Sequence, residues 1–195
     1  FIFLSPKDLG HQRQISGKRH HNDILLQLRS KTVPLKLNEQ RNLFKLFLND
    51  IGLLASQYAS GIQMKLLNDE ISVNYGAIYE NLVAQELAAH GFGGTDHCTY
   101  YFSNKRQGEL DFIIEHDGMA IPIEVKSGKD FERHNALSNV LSNPDYAISK
   151  AYVLCNGNFE NRGKIIYAPI YMTMFIERKQ PMQRQIFRIE MTALK

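Results

Sequence analysis

Apolar and polar positions alternate through residues 108–128, GELDFIIEHDGMAIPIEVKSG, on either side of a single break at Asp117-Gly118. An Asp-Gly pair between runs rich in Ile, Phe and Val predicts a hairpin closed by a two-residue type I′ turn. That turn sets His116 opposite Met119. By the same register Ile114 faces Ile121, Phe112 faces Ile123, Asp111 faces Glu124 and Glu109 faces Lys126. Side chains alternate along a strand, so Phe112, Ile114, Ile121, Ile123 and Val125 share a core face, while Asp111, Glu124 and Lys126 share a charged one.

Upstream the spacing becomes helical. Residues 72–90, SVNYGAIYENLVAQELAAH, bring Val73, Gly76, Ala77, Val83, Ala84 and Leu87 to one side at about 3.6 residues per turn. Ser72 is placed as the N-cap and Gly91 as the C-terminal glycine. Glu80 falls in the middle of the apolar stripe. The small residues Gly76, Ala77 and Ala84 around it predict a helix lying close to a sheet.

The remaining elements are coarser. Residues 1–37 are polar and weakly patterned, with one helical candidate at 22–29. Residues 44–48 read as a strand or the end of a helix, which periodicity does not separate over so short a run. Asp50 is placed as the cap of a helix through IGLLASQY, and IQMKLL as another helix. Residues 98–102 form a strand feeding the hairpin, and 130–141 a helix. AYVLC and KIIYAP follow as strands, IYMTMFIE as a short helix, and the tail from 183 as a strand. The order predicts an α/β fold in three layers, with a central mixed sheet flanked by helices.

The acids on the hairpin and helix carry the candidate chemistry. Two carboxylates about 5 Å apart repel by about 3 kcal/mol at an effective dielectric of about 20. Lys126 supplies one compensating charge. A divalent cation bridging both acids would supply more, and hard oxygen ligands suit Mg²⁺ or Mn²⁺. Taken alone, Glu-x-Lys is what a solvated sheet face carries. Glu80 changes that reading, because an unpaired buried carboxylate costs several kcal/mol and must be neutral, paired or bound to metal. It sits in the third turn, beyond the reach of the helix dipole.

This set of residues resembles the PD-(D/E)XK nuclease superfamily: a helix glutamate (Glu80), a strand aspartate (Asp111) and a (D/E)-x-K on the next strand (Glu124, Lys126). More closely, the chain is similar to the nuclease-like domain at the C-terminus of many bacterial and archaeal AAA+ ATPases. The similarity is carried by LFKLFLNDIGLLAS, YGAIYENLVAQELAAHGF, YYFSNKRQGELDFIIE, IPIEVKSGK and GKIIYAPIYMTMFI, in that order. It implies a restriction-endonuclease-like core over 43–178, preceded by an extension at 1–42 left from an earlier domain and followed by a tail at 179–195. It also implies hydrolysis of phosphodiester bonds with Mg²⁺ or Mn²⁺ held by Asp111, Glu124 and Glu80, Lys126 acting on the attacked phosphate, and a branched or broken duplex as substrate. Two features depart from the pattern. Leu110 stands where the superfamily has its proline, and the spacing of Gly10, Gly17 and Lys18 fails the phosphate-loop pattern, so an AAA+ partner would lie outside this chain.

Composition narrows the picture. With 195 residues, 44% of them hydrophobic and 22% charged, the chain can bury a core. Its opening FIFL is too short for a membrane span or a signal peptide. Cys98 and Cys155 lack metal-ligand spacing, which predicts a reducing, cytoplasmic setting. His20 and His21 belong to a solvated loop. The net charge of +3 permits nucleic-acid binding without demanding it. Lys105 and Arg106 before the acidic strand, with Lys129, Arg133 and His134 after Lys126, form the candidate basic approach for DNA. Tyr100, Tyr101 and Phe102 beside it read as core. Two classes stay open: a metal-dependent nuclease, or a catalytically silent DNA-binding or regulatory module of an AAA+ ATPase system.

Overall fold

The protein is described by a computed structural model over residues 22–48, 50–58, 60–68, 75–93 and 99–178. The Ser72 cap, Val73, Cys98, His20, His21 and the C-terminal strand expected from the sequence lie outside these residues.

A hairpin organises the sheet. Strands β4 (Gly108–His116) and β5 (Met119–Val125) pair from His116↔Met119 through Ile114↔Ile121 to Phe112↔Ile123, in the expected register. Asp117 and Gly118 have φ of 51° and 71°, the two positive values that a type I′ turn requires. Around the hairpin stand β1 (Asn22–Leu28), β2 (Glu39–Leu48), β3 (Thr99–Asn104), β6 (Ala151–Cys155), β7 (Glu160–Arg162) and β8 (Ile165–Pro169). Together they make one eight-stranded mixed sheet in the order β2-β1-β3-β4-β5-β6-β8-β7.

Helices α1 (Ile51–Ser56), α2 (Ser60–Leu67), α3 (Gly76–Leu87) and α4 (Asn135–Leu141) complete the chain, with short 3₁₀ turns between elements. Asp50 caps α1 as expected, its Oδ1 accepting the Leu53 N–H at 2.9 Å. Val83, Ala84 and Leu87 of α3 pack onto Phe112, Ile114, Ile121 and Ile123 on one sheet face. Leu137 and Val140 of α4 pack onto Leu110, Ile113, Ala120 and Val153 on the other. The α/β class and the mixed sheet are as expected.

Several expectations change. Residues 22–28 are a strand, not a helix: their short apolar run satisfies either period, and pairing with β2 on one side and β3 on the other decides it. Residues 44–48 are strand too, the end of a β2 that begins at Glu39, before the boundary drawn at 42/43. The helix expected over 130–141 begins only at Asn135, and the helix expected to continue to His90 passes at Ala88 into a π turn, with Gly91 left-handed at φ 90°. Ala77 is exposed instead of part of a buried stripe. Nor is one hairpin face charged along its length. Both faces are covered, so Ile113, Ala120 and Pro122 are buried as well, and the charges gather at one end.

Candidate active site at the splayed end of the hairpin

The register between β3 and β4 shifts at Tyr101. On β3 a single residue, Tyr101, lies between Tyr100 and Phe102; on β4 two residues, Asp111 and Phe112, lie between their partners Ile113 and Leu110. This is a β-bulge, which bends a strand and redirects its side chains. Its effect is visible in the cores, since Leu110 and Ile113 enter the α4 side while Phe112 and Ile114 enter the α3 side. Strict alternation would separate Leu110 from Ile113.

Past Phe112↔Ile123 the ladder gives way to a side chain. Asp111 Oδ2 accepts the Val125 N–H at 2.8 Å, so Asp111 lies at the seam of the two strands and forms no rung with Glu124. Glu109 likewise does not face Lys126. It pairs with Ser103 on β3 and its carboxylate takes the ammonium of Lys45. β5 is held from the other side, where the Lys126 N–H donates to the Leu154 carbonyl at 2.8 Å.

Glu80 approaches from α3. The helix is locked to the end of β2 by Asn81, whose buried amide accepts the Leu48 N–H at 2.9 Å and donates to the Leu48 carbonyl at 2.6 Å. One residue earlier in the helix, Glu80 Oε2 lies 3.8 Å from Lys45 Nζ. On the opposite flank, the Tyr79 hydroxyl accepts from Asn156, whose amide also donates to the Ser127 carbonyl beside Lys126.

The three acids feel one another. Burial raises the Glu80 carboxyl to about 7, and Asp111 is the strongest of the charges that add to it. Burial and then Glu124 raise Asp111 to about 7 as well. Glu124 is raised chiefly by burial, with Glu80 adding to it, although a 2.6 Å hydrogen bond from Lys126 Nζ opposes the rise. The Lys126 ammonium is disfavoured by burial, yet Glu124, Asp111 and Glu80 together hold its pKa above the ordinary lysine value. Glu80, Asp111, Glu124 and Lys126 thus share one electrostatic neighbourhood.

The donor chemistry fits a hard divalent cation. Glu80 Oε2 and Glu124 Oε2 are buried without a hydrogen-bond partner, and all the acids offer oxygen. Side-chain placement is less complete. Among the described residues no three His, Cys, Asp or Glu are grouped closely enough to hold a metal ion, and Lys126 already takes the second Glu124 oxygen.

The basic residues divide. Lys105 and Arg106 are exposed on the turn joining β3 to β4, where Asn104 Oδ1 accepts the Arg106 N–H at 2.8 Å. Lys129 and Arg133 are exposed in the loop before α4. His134 is not part of this surface: it is buried, with Nε2 hydrogen-bonded to the Tyr167 hydroxyl at 2.7 Å and Nδ1 to Ser138 Oγ at 3.2 Å. Tyr100, Tyr101 and Phe102 are core, as expected.

Two residues that complete the neighbourhood were not singled out from the sequence. Lys45 comes from a strand distant in the chain, and Asn81 looked like an ordinary polar position. The one available signal for Asn81 was its place beside Glu80, next to a stripe destined for burial.

Among the described residues no helix is long and apolar enough to cross a membrane. No curated protein and no solved structure matches the chain. A family model, Domain of unknown function (DUF4143), matches residues 75–173, from the residue before α3 to the 3₁₀ turn that follows β8. The match holds Glu80, Asp111, Glu124 and Lys126, excludes Lys45, and spans just over half of the sequence, so the chain belongs to the DUF4143 family.

Proposed function

We propose that this chain is a metal-dependent nuclease-like domain that hydrolyses DNA phosphodiester bonds, on a sheet used in the restriction-endonuclease-like manner. The observation that carries the reading is the cluster of three mutually repelling acids at a splayed strand pair, two of them with an unpartnered buried oxygen, beside Lys126. Leaving such atoms unpaired costs about 1 to 3 kcal/mol each, more when charged, which a purely structural cluster has no reason to retain.

Mg²⁺ or Mn²⁺ bound by Asp111, Glu124 and Glu80 would supply a Lewis acid for the phosphate and a more acidic water. The protein's own groups do the rest. The Val125 N–H fixes the Asp111 carboxylate, Asn81 holds Glu80 at its height on α3, and the Lys126 ammonium stabilises charge that grows on the phosphate. Lys105, Arg106, Lys129 and Arg133 would meet the DNA backbone. The free, buried Cys155 accords with a reducing cytoplasmic setting.

A second reading has its own support. Lys126 occupies a Glu124 oxygen that a metal would need, and no three acids stand at coordinating spacing among the described residues, as suits a silent DNA-binding or regulatory module of an AAA+ ATPase system. Cleavage of single-stranded, duplex and branched DNA with Mg²⁺ or Mn²⁺ separates the two. A nuclease cuts at least one substrate, and Lys126→Ala lowers cleavage by orders of magnitude while DNA affinity falls only modestly. DNA binding without cleavage by wild type under any metal overturns the enzyme reading in favour of the module.

A further inference from the structure

Lys45 belongs to the site without belonging to the pattern that points to it. It lies on β2, outside residues 75–173 and outside the four positions of the nuclease-like pattern. Its side chain is 10% exposed, extends past the Tyr101 ring with Nζ 5.2 Å from the ring centre, and ends between β4 and α3. There the ammonium is ion-paired with Glu109 and stands 3.8 Å from Glu80 Oε2.

These two carboxylate contacts are unequal. Glu109 holds the ammonium at hydrogen-bonding range, whereas 3.8 Å to Glu80 is a charge contact only, and Glu80 Oε2 has no hydrogen-bond donor. A bridge built purely to join helix and strand would satisfy both carboxylates, because a buried acid left half-paired is costly.

We propose that Lys45 is a resident counter-cation: a positioning residue that keeps Glu80 turned toward the seam in the metal-free protein and yields that carboxylate when a divalent cation binds. The proposal rests on the metal-site reading above. Lys45 therefore competes with the metal for Glu80, and Glu109 is the acid to which its ammonium retires. Because Asn81 pins α3 to β2, the exchange needs side-chain rotation alone.

The test is Mn²⁺ affinity by calorimetry at pH 8, a readout independent of cleavage. Removing the competitor in Lys45→Met should tighten Mn²⁺ binding about tenfold, since a like charge leaves the metal's immediate surroundings. Lys45→Arg retains the charge and should stay within about twofold of wild type. A structural strut predicts the reverse, with weaker binding in Lys45→Met. Unchanged or weaker Mn²⁺ binding in folded Lys45→Met overturns the proposal while leaving the metal site intact. If Lys45→Met does not fold, the double variant Lys45→Met with Glu109→Gln removes both ends of the ion pair. Tighter binding than wild type then supports the proposal, and equal or weaker binding overturns it. A wild type that binds no Mn²⁺ overturns the metal-site reading itself, and this inference with it.

Discussion

Asp111→Asn should make the metal-free protein more stable at pH 8 while abolishing its response to Mn²⁺. Burial, and then the charge of Glu124, raise the Asp111 carboxyl from 3.8 to about 7. Holding it ionised above that range costs the folded state roughly 4 kcal/mol, at about 1.4 kcal/mol per pH unit. Asparagine fills nearly the same volume, and its oxygen can still accept the Val125 N–H. A neutral acceptor is weaker than a carboxylate by about 1 to 2 kcal/mol, so the net gain is about 2 kcal/mol. For a chain of this size that is roughly 4 to 8 °C in melting temperature.

The sign depends on pH. A carboxyl whose folded pKa lies above its unfolded one favours folding while protonated; that contribution is complete below about 4 and is lost as the pH rises through about 7. The advantage of Asp111→Asn should be largest at pH 8, shrink by pH 5, where folded wild-type Asp111 is neutral, and disappear only below about pH 4. Thermal unfolding followed by circular dichroism at both pH values checks this. Added Mn²⁺ should raise the wild-type midpoint at pH 8 and leave the variant unmoved. A variant less stable than wild type at pH 8, or equally favoured at both pH values, refutes the buried-charge account.

Two further outcomes probe the surroundings of the site. Asn81→Ala strips the partners from both the Leu48 N–H and its carbonyl, and should lower stability by about 2 to 4 kcal/mol in urea unfolding with an unchanged slope; a loss below about 0.5 kcal/mol would mean that Asn81 does not anchor the helix. Replacing Lys105, Arg106, Lys129 and Arg133 by glutamine should flatten the salt dependence of DNA affinity by roughly 0.9 in slope per lost phosphate contact. Anisotropy titrations across a KCl series measure it, and an unaltered slope places the nucleic acid on another face.

Local chemistry made the hairpin legible before any fold was known. Asp117-Gly118 is one of the few dipeptides that accept two positive φ values, and a two-residue turn leaves one register open, so Phe112↔Ile123 and Ile114↔Ile121 follow. The Asp50 cap is local in the same sense. Glu80, Asp111, Glu124 and Lys126 stood out because each breaks an apolar pattern, and their shared electrostatics follow from the elements that carry them.

What lay beyond the sequence has a common cause. Residues 22–28 suit either a helix or a strand, and only hydrogen bonds to β2 and β3, supplied from far along the chain, select the strand. The bulge at Asp111-Phe112 is a mismatch between two strands, so no inspection of either alone predicts that Asp111 leaves the alternating pattern and takes the Val125 N–H. The same holds for Lys45 and Asn81, polar residues like many others until the sheet order sets β2 beside α3 and within reach of Glu109. Sequence determined the turn, the periodicities and the acids that had to be accounted for, because those depend on neighbours a few residues away. Tertiary structure decided which strand end opens and which lysine answers which acid, because pairing and desolvation are properties of surfaces that meet only in the fold.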